Sequence, residues 1–167
     1  NLDMDAVNKL GEGVKAIALP DERWDKVDIK TTNLIPNILA QTKAEKKFAY
    51  TAMLFRDGIC TEGATSNVFA VKDGILYTHP ADNHILKGIT RQMIVTRVAP
   101  SLGITLIEKE FDRAFVDDAD ELFFTDTIGG VIPIIKLDKN PVSGGKPGHV
   151  TLRLREALEK LMEEGLP

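Results

Sequence analysis

Apolar residues alternate with polar ones, or gather with β-branched neighbours, in seven short runs at 14–19, 50–55, 67–71, 75–78, 104–110, 121–125 and 131–137. Turn-forming residues bound each run, and this patterning predicts strands. Arg56-Asp57-Gly58 and Lys72-Asp73-Gly74 place Asp-Gly between apolar runs, a common short hairpin signature that predicts adjacent antiparallel strands. Three longer stretches follow a helical period. The first, 33–47, has Asn33 as its cap and Pro36 in the first turn, where a missing N–H costs least. A second, 89–102, stops at Gly103 as its C′ residue. The third, 150–164, sets Leu154, Ala157, Leu158, Leu161 and Met162 along one face, with Gly165 and Pro167 closing it. All three are predicted to be amphipathic. The segment 138–148, with Asn140-Pro141 and Ser143-Gly144-Gly145, reads as a loop. Hairpins mixed with crossover helices predict one α/β (mixed α+β) domain, residues 1–167, on a mixed sheet.

Composition narrows the function more than the fold. At 167 residues and 43 % hydrophobic, the chain is long and apolar enough to bury a core. A net charge of −4 gives no electrostatic case for nucleic acid or an anionic membrane, so a small-molecule partner is expected. The single cysteine, Cys60, excludes an intrachain disulfide and a multi-cysteine metal cage; it suits a reducing compartment, and the expected location is cytoplasmic. No apolar run approaches the roughly 18 residues that span a bilayer. The chain opens Asn1-Leu2-Asp3 without an initiator Met, which suggests that its natural start lies elsewhere.

Ser-His-Asp order, a Walker loop and a GxGxxG turn are all missing, and His79, His84 and His149 are not at metal-ligand spacing, so no metal is expected. Three weaker features remain. Lys30, in Asp28-Ile29-Lys30-Thr31-Thr32-Asn33, stands between an extended segment and a helix start, where its amine could meet an aldehyde; a solvated lysine is the plainer alternative. Glu62, in the polar turn-forming stretch Thr61-Glu62-Gly63-Ala64-Thr65-Ser66-Asn67, could hold a protonated ring nitrogen or act as a base, or be a solvated loop carboxylate. Leu86-Lys87-Gly88-Ile89-Thr90-Arg91 puts a glycine before a helix and a threonine in its first turn, either a phosphate site or an ordinary helix start. Thr125-Asp126-Thr127, leading into Ile128-Gly129-Gly130, could complete an anion cradle. An amine for an aldehyde, a carboxylate for a pyridinium nitrogen and a helix amino end for a phosphate together describe pyridoxal 5′-phosphate (PLP).

These blocks, with Ser66-Asn67-Val68-Phe69, Asp73-Gly74-Ile75-Leu76-Tyr77-Thr78 and Asp120-Glu121-Leu122-Phe123, resemble the fold-type IV PLP enzymes from about Gly13 onward. The likeness is greatest to the D-amino acid aminotransferases, with branched-chain aminotransferases and aminodeoxychorismate lyases as relatives. The resemblance implies the mixed-sheet, pseudo-barrel large domain of that fold. It also implies PLP-dependent transamination between an amino acid, most of all a D-amino acid, and a 2-oxo acid, in a homodimer. By the same resemblance, Lys30 matches the Schiff-base lysine that shuttles the proton, and Glu62 the carboxylate on the pyridine nitrogen. Ile89 and Thr90 match the phosphate-binding N–H groups and hydroxyl, Thr127 the second hydroxyl contact, and Leu86 the aliphatic residue against one ring face.

Two departures qualify the resemblance. Ala64 and Thr65 replace serines common in the D-amino acid enzymes, and Gly129-Gly130-Val131-Ile132-Pro133 departs from the family's stretch beside the substrate, which leaves substrate identity open. The family's amino-terminal small domain is not found in this chain, so a catalytically incomplete PLP-binding fragment is the alternative from another class. Arg23, upstream of Lys30, is given no role.

Overall fold

The computed structural model describes residues 4–165. Pro167, one of the two expected closing residues of the last helix, lies outside the described residues. The elements run α1 (Met4–Leu10), β1 (Val14–Pro20), α2 (Ile35–Glu45), β2 (Thr51–Arg56), β3 (Ile59–Gly63), β4 (Asn67–Lys72) and β5 (Ile75–Thr78). They continue through α3 (Ile89–Met93), a π-helical turn (Ile94–Val98), α4 (Ala99–Ser101), β6 (Leu106–Glu108), α5 (Arg113–Asp117), β7 (Glu121–Asp126) and β8 (Gly130–Leu137). A short β9 (Asn140–Pro141), a 3-10 turn (Ser143–Gly145) and α6 (His149–Glu163) complete the order. The nine strands form one mixed sheet curled into a half-barrel, in the order β3-β2-β1-β8-β7-β4-β5-β6, with β9 on β8.

Both Asp-Gly turns form as expected. Asp57 and Gly58 have φ of 50° and 83°, and Asp73 and Gly74 have 52° and 75°, the paired positive values that match the twist of a tight hairpin. They join β2 to β3 and β4 to β5 in antiparallel register. Four expectations change. Residues 59–63 form a strand, not part of a loop, because pairing with β2 and polar partners for Thr61 and Glu62 offset their poor strand character. The first helix starts at Ile35 with Leu34 at its N-cap, so Asn33 does not cap it. The 104–110 strand shrinks to Leu106–Glu108. The second helix widens into a π turn just before Pro100, which has no N–H to give the preceding turn.

Alternation along the strands divides the core. Val68 and Ala70 of β4 join Met53, Leu122, Phe124, Ile132 and Ile134 on one face of the sheet. Phe69 and Val71 point the other way, to Phe123, Ile94, Val98, Leu154 and Leu158 under α6 and the π turn. Phe69 and Phe123 are register partners, and their rings stack with centroids 4.9 Å apart. On the far flank of that second face, Ile17, Ala52 and Leu54 meet Ala40 and Ala44 of α2. Helices thus cover the face from both sides, and the functional cleft opens between α2 and α3. Among the described residues, no helix is long and apolar enough to cross a membrane.

Glu121, on β7, fixes the start of α6. Its carboxylate accepts the Val150 N–H at 3.0 Å, and the Thr151 N–H and hydroxyl at 2.7 Å each, supplying partners and negative charge to the helix amino end. Gly148 is required beside it, since a Cβ there would run into the Glu121 carboxylate.

Candidate active site

A cleft of ≈ 750 Å³ lies between the 21–34 segment, α2, the β3–β4 turn, the start of α3 and the end of β7. All six residues singled out from sequence line it: Lys30, Glu62, Leu86, Ile89, Thr90 and Thr127. They come from four separate parts of the chain, so their meeting is a product of the fold.

Glu62 sits on β3 and is only 4 % exposed. Its Oε1 takes an Arg23 Nη1 hydrogen bond, while its Oε2 accepts from Asn67 Nδ2 at 2.7 Å and the Leu86 N–H at 3.1 Å. Burial pushes the Glu62 carboxyl up to about 7, against Arg23 and the Leu86 N–H, which favour the charged form. Arg23 is itself buried and held by Asp21, which accepts its Nε at 2.8 Å and Nη2 at 2.7 Å. Burial opposes charge on Asp21, but Arg23 outweighs it and holds that carboxyl below its ordinary value. The solvated-loop alternative for Glu62 is therefore excluded: this carboxylate is part of a buried, charge-compensated network.

Lys30 presents the opposite environment. It is exposed, on the 21–34 segment that joins β1 to α2 along the cleft wall. Across from it, α3 begins at Gly88, and no side chain caps its first turn. A Cβ at Gly88 would collide with Asn67 Oδ1, so glycine lets the helix start close to Glu62's partner. The Thr90 hydroxyl donates to the Asp126 carbonyl at 2.9 Å, tying α3 to the end of β7. Asp126 in turn orders the next turn, its Oδ1 accepting the Ile128 N–H at 2.9 Å and the Gly129 N–H at 2.6 Å. Ser66 Oγ and Thr125 Oγ1, both on residues that line the cleft, are buried with no hydrogen-bond partner among the described residues.

Sequence reasoning gave no role to Arg23, Asn67, Asp126, Ser66 or Thr125, although all but Arg23 lie within stretches it singled out. Arg23 lies 39 residues from Glu62, so no local pattern announces the pair. Ser66 and Asn67 carry a local signal, two polar residues leading directly into the apolar β4 run.

The amino-transferase class IV family description matches residues 5–137. The chain belongs to the amino-transferase class IV family. It is similar to the D-alanine aminotransferase of Staphylococcus aureus (strain COL), 42 % identical over 92 % of this chain and 54 % of that protein. Among solved structures, the branched-chain aminotransferase from Thermoproteus uzoniensis with norvaline superposes with a TM-score of 0.84 at 31 % identity, covering 90 % of this chain and 52 % of that one. An aminotransferase from Brucella abortus bound to the cofactor PLP gives 0.79 at 26 % identity, covering 90 % and 55 %. The chain thus spans about half the length of the curated class IV relatives it matches.

Proposed function

We propose that this chain is the cofactor-bearing part of a PLP-dependent aminotransferase that exchanges an amino group between an amino acid, most of all a D-amino acid, and a 2-oxo acid. The observation that carries the reading is Glu62, buried and braced by Arg23, Asn67 and Leu86 in the same cleft as the exposed amine of Lys30. The donor set fits PLP. A helix start without a side-chain cap stands at Gly88, the cleft-lining hydroxyls of Ser66 and Thr125 have no hydrogen-bond partner among the described residues, and the Glu62 carboxylate accepts the N–H of Leu86, which lines the same cleft.

When bound, PLP supplies an electron sink for the carbon that loses its proton. Lys30 Nζ would receive the cofactor's aldehyde and carry the proton to and from the substrate Cα. Glu62, fixed by Arg23, would hold a proton on the pyridine nitrogen. A protonated ring nitrogen gives the Glu62 carboxylate a second cationic partner, which favours its charged form against the burial that now raises it. The Ile89 and Thr90 N–H groups would bind the phosphate with the positive helix end behind them. Thr90 would turn its hydroxyl from the Asp126 carbonyl to join them, and Thr127, next to Asp126, would donate alongside it. Leu86 would pack on one ring face.

The reading covers the half of such an enzyme that the chain spans, a single large domain, with the groups that grip the substrate carboxylate coming from an amino-terminal small domain. The exposed apolar residues of α2 support a homodimer, and a reduced, buried Cys60 suits work in the cytoplasm. Branched-chain transamination is the second reading, favoured by the close superposition on a branched-chain enzyme. Offering D-alanine and L-leucine with 2-oxoglutarate to the complete protein separates them. Turnover of D-alanine is expected; turnover of L-leucine alone would overturn the D-amino acid assignment.

A further inference from the structure

We propose that the loop 79–84 binds one divalent transition cation of borderline softness, such as Zn²⁺, through His79, Asp82 and His84. The spacing of the histidines alone gave no metal expectation; the fold adds Asp82 between them. One ligand atom from each residue falls in a group whose members all lie within 4.8 Å of one another. His79 Nδ1 is 3.8 Å from Asp82 Oδ1, and His84 Nδ1 is 3.9 Å from Asp82 Oδ2, so the two imidazoles flank one carboxylate.

A tetrahedral site with bonds near 2.1 Å spaces its ligand atoms by about 3.4 Å, so the widest gap must close by roughly 1.4 Å. Side-chain rotation of Asp82 and His84, each about a third exposed, can supply that movement. His79 is buried and provides the fixed point. Its Nδ1 lies 2.9 Å from the Pro80 carbonyl, so binding through that atom moves the ring proton to Nε2. Asp82 is also tied to the loop, its Oδ1 accepting the His84 N–H at 2.8 Å.

The loop is also pinned from outside. Asn83 accepts the Val27 N–H at 2.9 Å, Arg91 Nη2 donates to the His79 carbonyl at 2.8 Å, and Arg23 Nη2 donates to the His84 carbonyl at 3.2 Å. Both guanidinium groups are paired with carboxylates, Arg91 with Glu108 and Arg23 with Asp21 and Glu62, which limits their repulsion of a cation. Two imidazole nitrogens and one carboxylate suit Zn²⁺, Co²⁺, Ni²⁺ or Cu²⁺ rather than Mg²⁺ or Ca²⁺, with water completing the shell. The proposal stands apart from the amino-transfer reading, because no step of that reading uses these side chains.

The test is a Co²⁺ titration of the 167-residue chain purified without a histidine tag, read by visible absorption and followed by Zn²⁺ competition. One saturable equivalent is expected, displaced by Zn²⁺ and unaffected by millimolar Mg²⁺. His84→Ala and Asp82→Asn should each weaken it by about tenfold or more, while His149→Ala leaves it unchanged. Circular dichroism checks that each variant is folded, and Asp82→Asn decides the matter if His84→Ala is not. Failure to bind one equivalent, or binding as tight in the folded variants as in the parent chain, overturns the site.

Discussion

The helices α6 and α2 both lie against the sheet, yet α6 meets it with leucines and α2 with alanines. α6 buries Leu154 and Leu158, although Leu152 and Met162, the latter expected on its apolar face, stay 43 % and 56 % exposed, and its amino end is closed by Glu121. α2 buries Ala40 and Ala44 and turns Ile35, Ile38 and Leu39 outward, at 67 %, 59 % and 51 % exposure. Both helices carry aliphatic residues, so composition does not explain the contrast; what differs is the surface they are shaped to meet. The α6 flank packs its central leucines into the core as folded. The α2 flank borders the cleft and leaves an apolar surface of the kind that marks a contact with another body. The two flanks also rest on different forces, apolar burial under α6 and a buried charge network beside α2.

Breaking the charge network should produce the largest effect. Arg23→Ala leaves Glu62 buried without its cation and should cost about 3–5 kcal/mol in urea unfolding; adding Glu62→Gln should recover part of that loss. The same carboxylate predicts a pH dependence. Its value rises from 4.5 to about 7 on folding, so the folded state holds the proton more tightly. The stability it contributes is therefore full below about pH 4.5 and is lost as pH rises toward 7, a slope that Glu62→Gln should remove. Leu154→Ala, on the apolar flank, should cost about 2–5 kcal/mol and leave that slope intact. Gly148→Ala, which drives a methyl into the Glu121 carboxylate, should cost about 1–3 kcal/mol by the same measurement. Ile38→Ser on α2 is the smallest, within about 0.5 kcal/mol for the isolated chain, but it should weaken self-association of the complete protein in sedimentation.

Much of the fold was visible in sequence, though the contrast between the two flanks was not, and the misses have physical causes. The Asp-Gly hairpins and the apolar strands were legible because period and turn chemistry act locally. Strand β3 was not, because Thr61 and Glu62 suit a strand only after β2, Asp21 and Arg23 supply their partners. Helical periodicity located α2 but did not say where its apolar face points, since the pattern records that a face exists and not what meets it. Lys30, Glu62, Leu86, Ile89, Thr90 and Thr127 were found as separate short blocks, and the fold brings all six to one cleft. Arg23 and Asn67 were illegible as Glu62's partners, because those contacts exist only once β3, β4 and the 21–34 segment have assembled.

The central claim is that Lys30 is the amine of a PLP site supported by Glu62. It is tested most directly by incubating the chain with excess PLP, reducing with borohydride and mapping the modified peptide by mass. A single stable adduct on Lys30, lost in Lys30→Ala, is the predicted result. Labelling spread over other lysines with none at Lys30, or no adduct at all, would contradict the account.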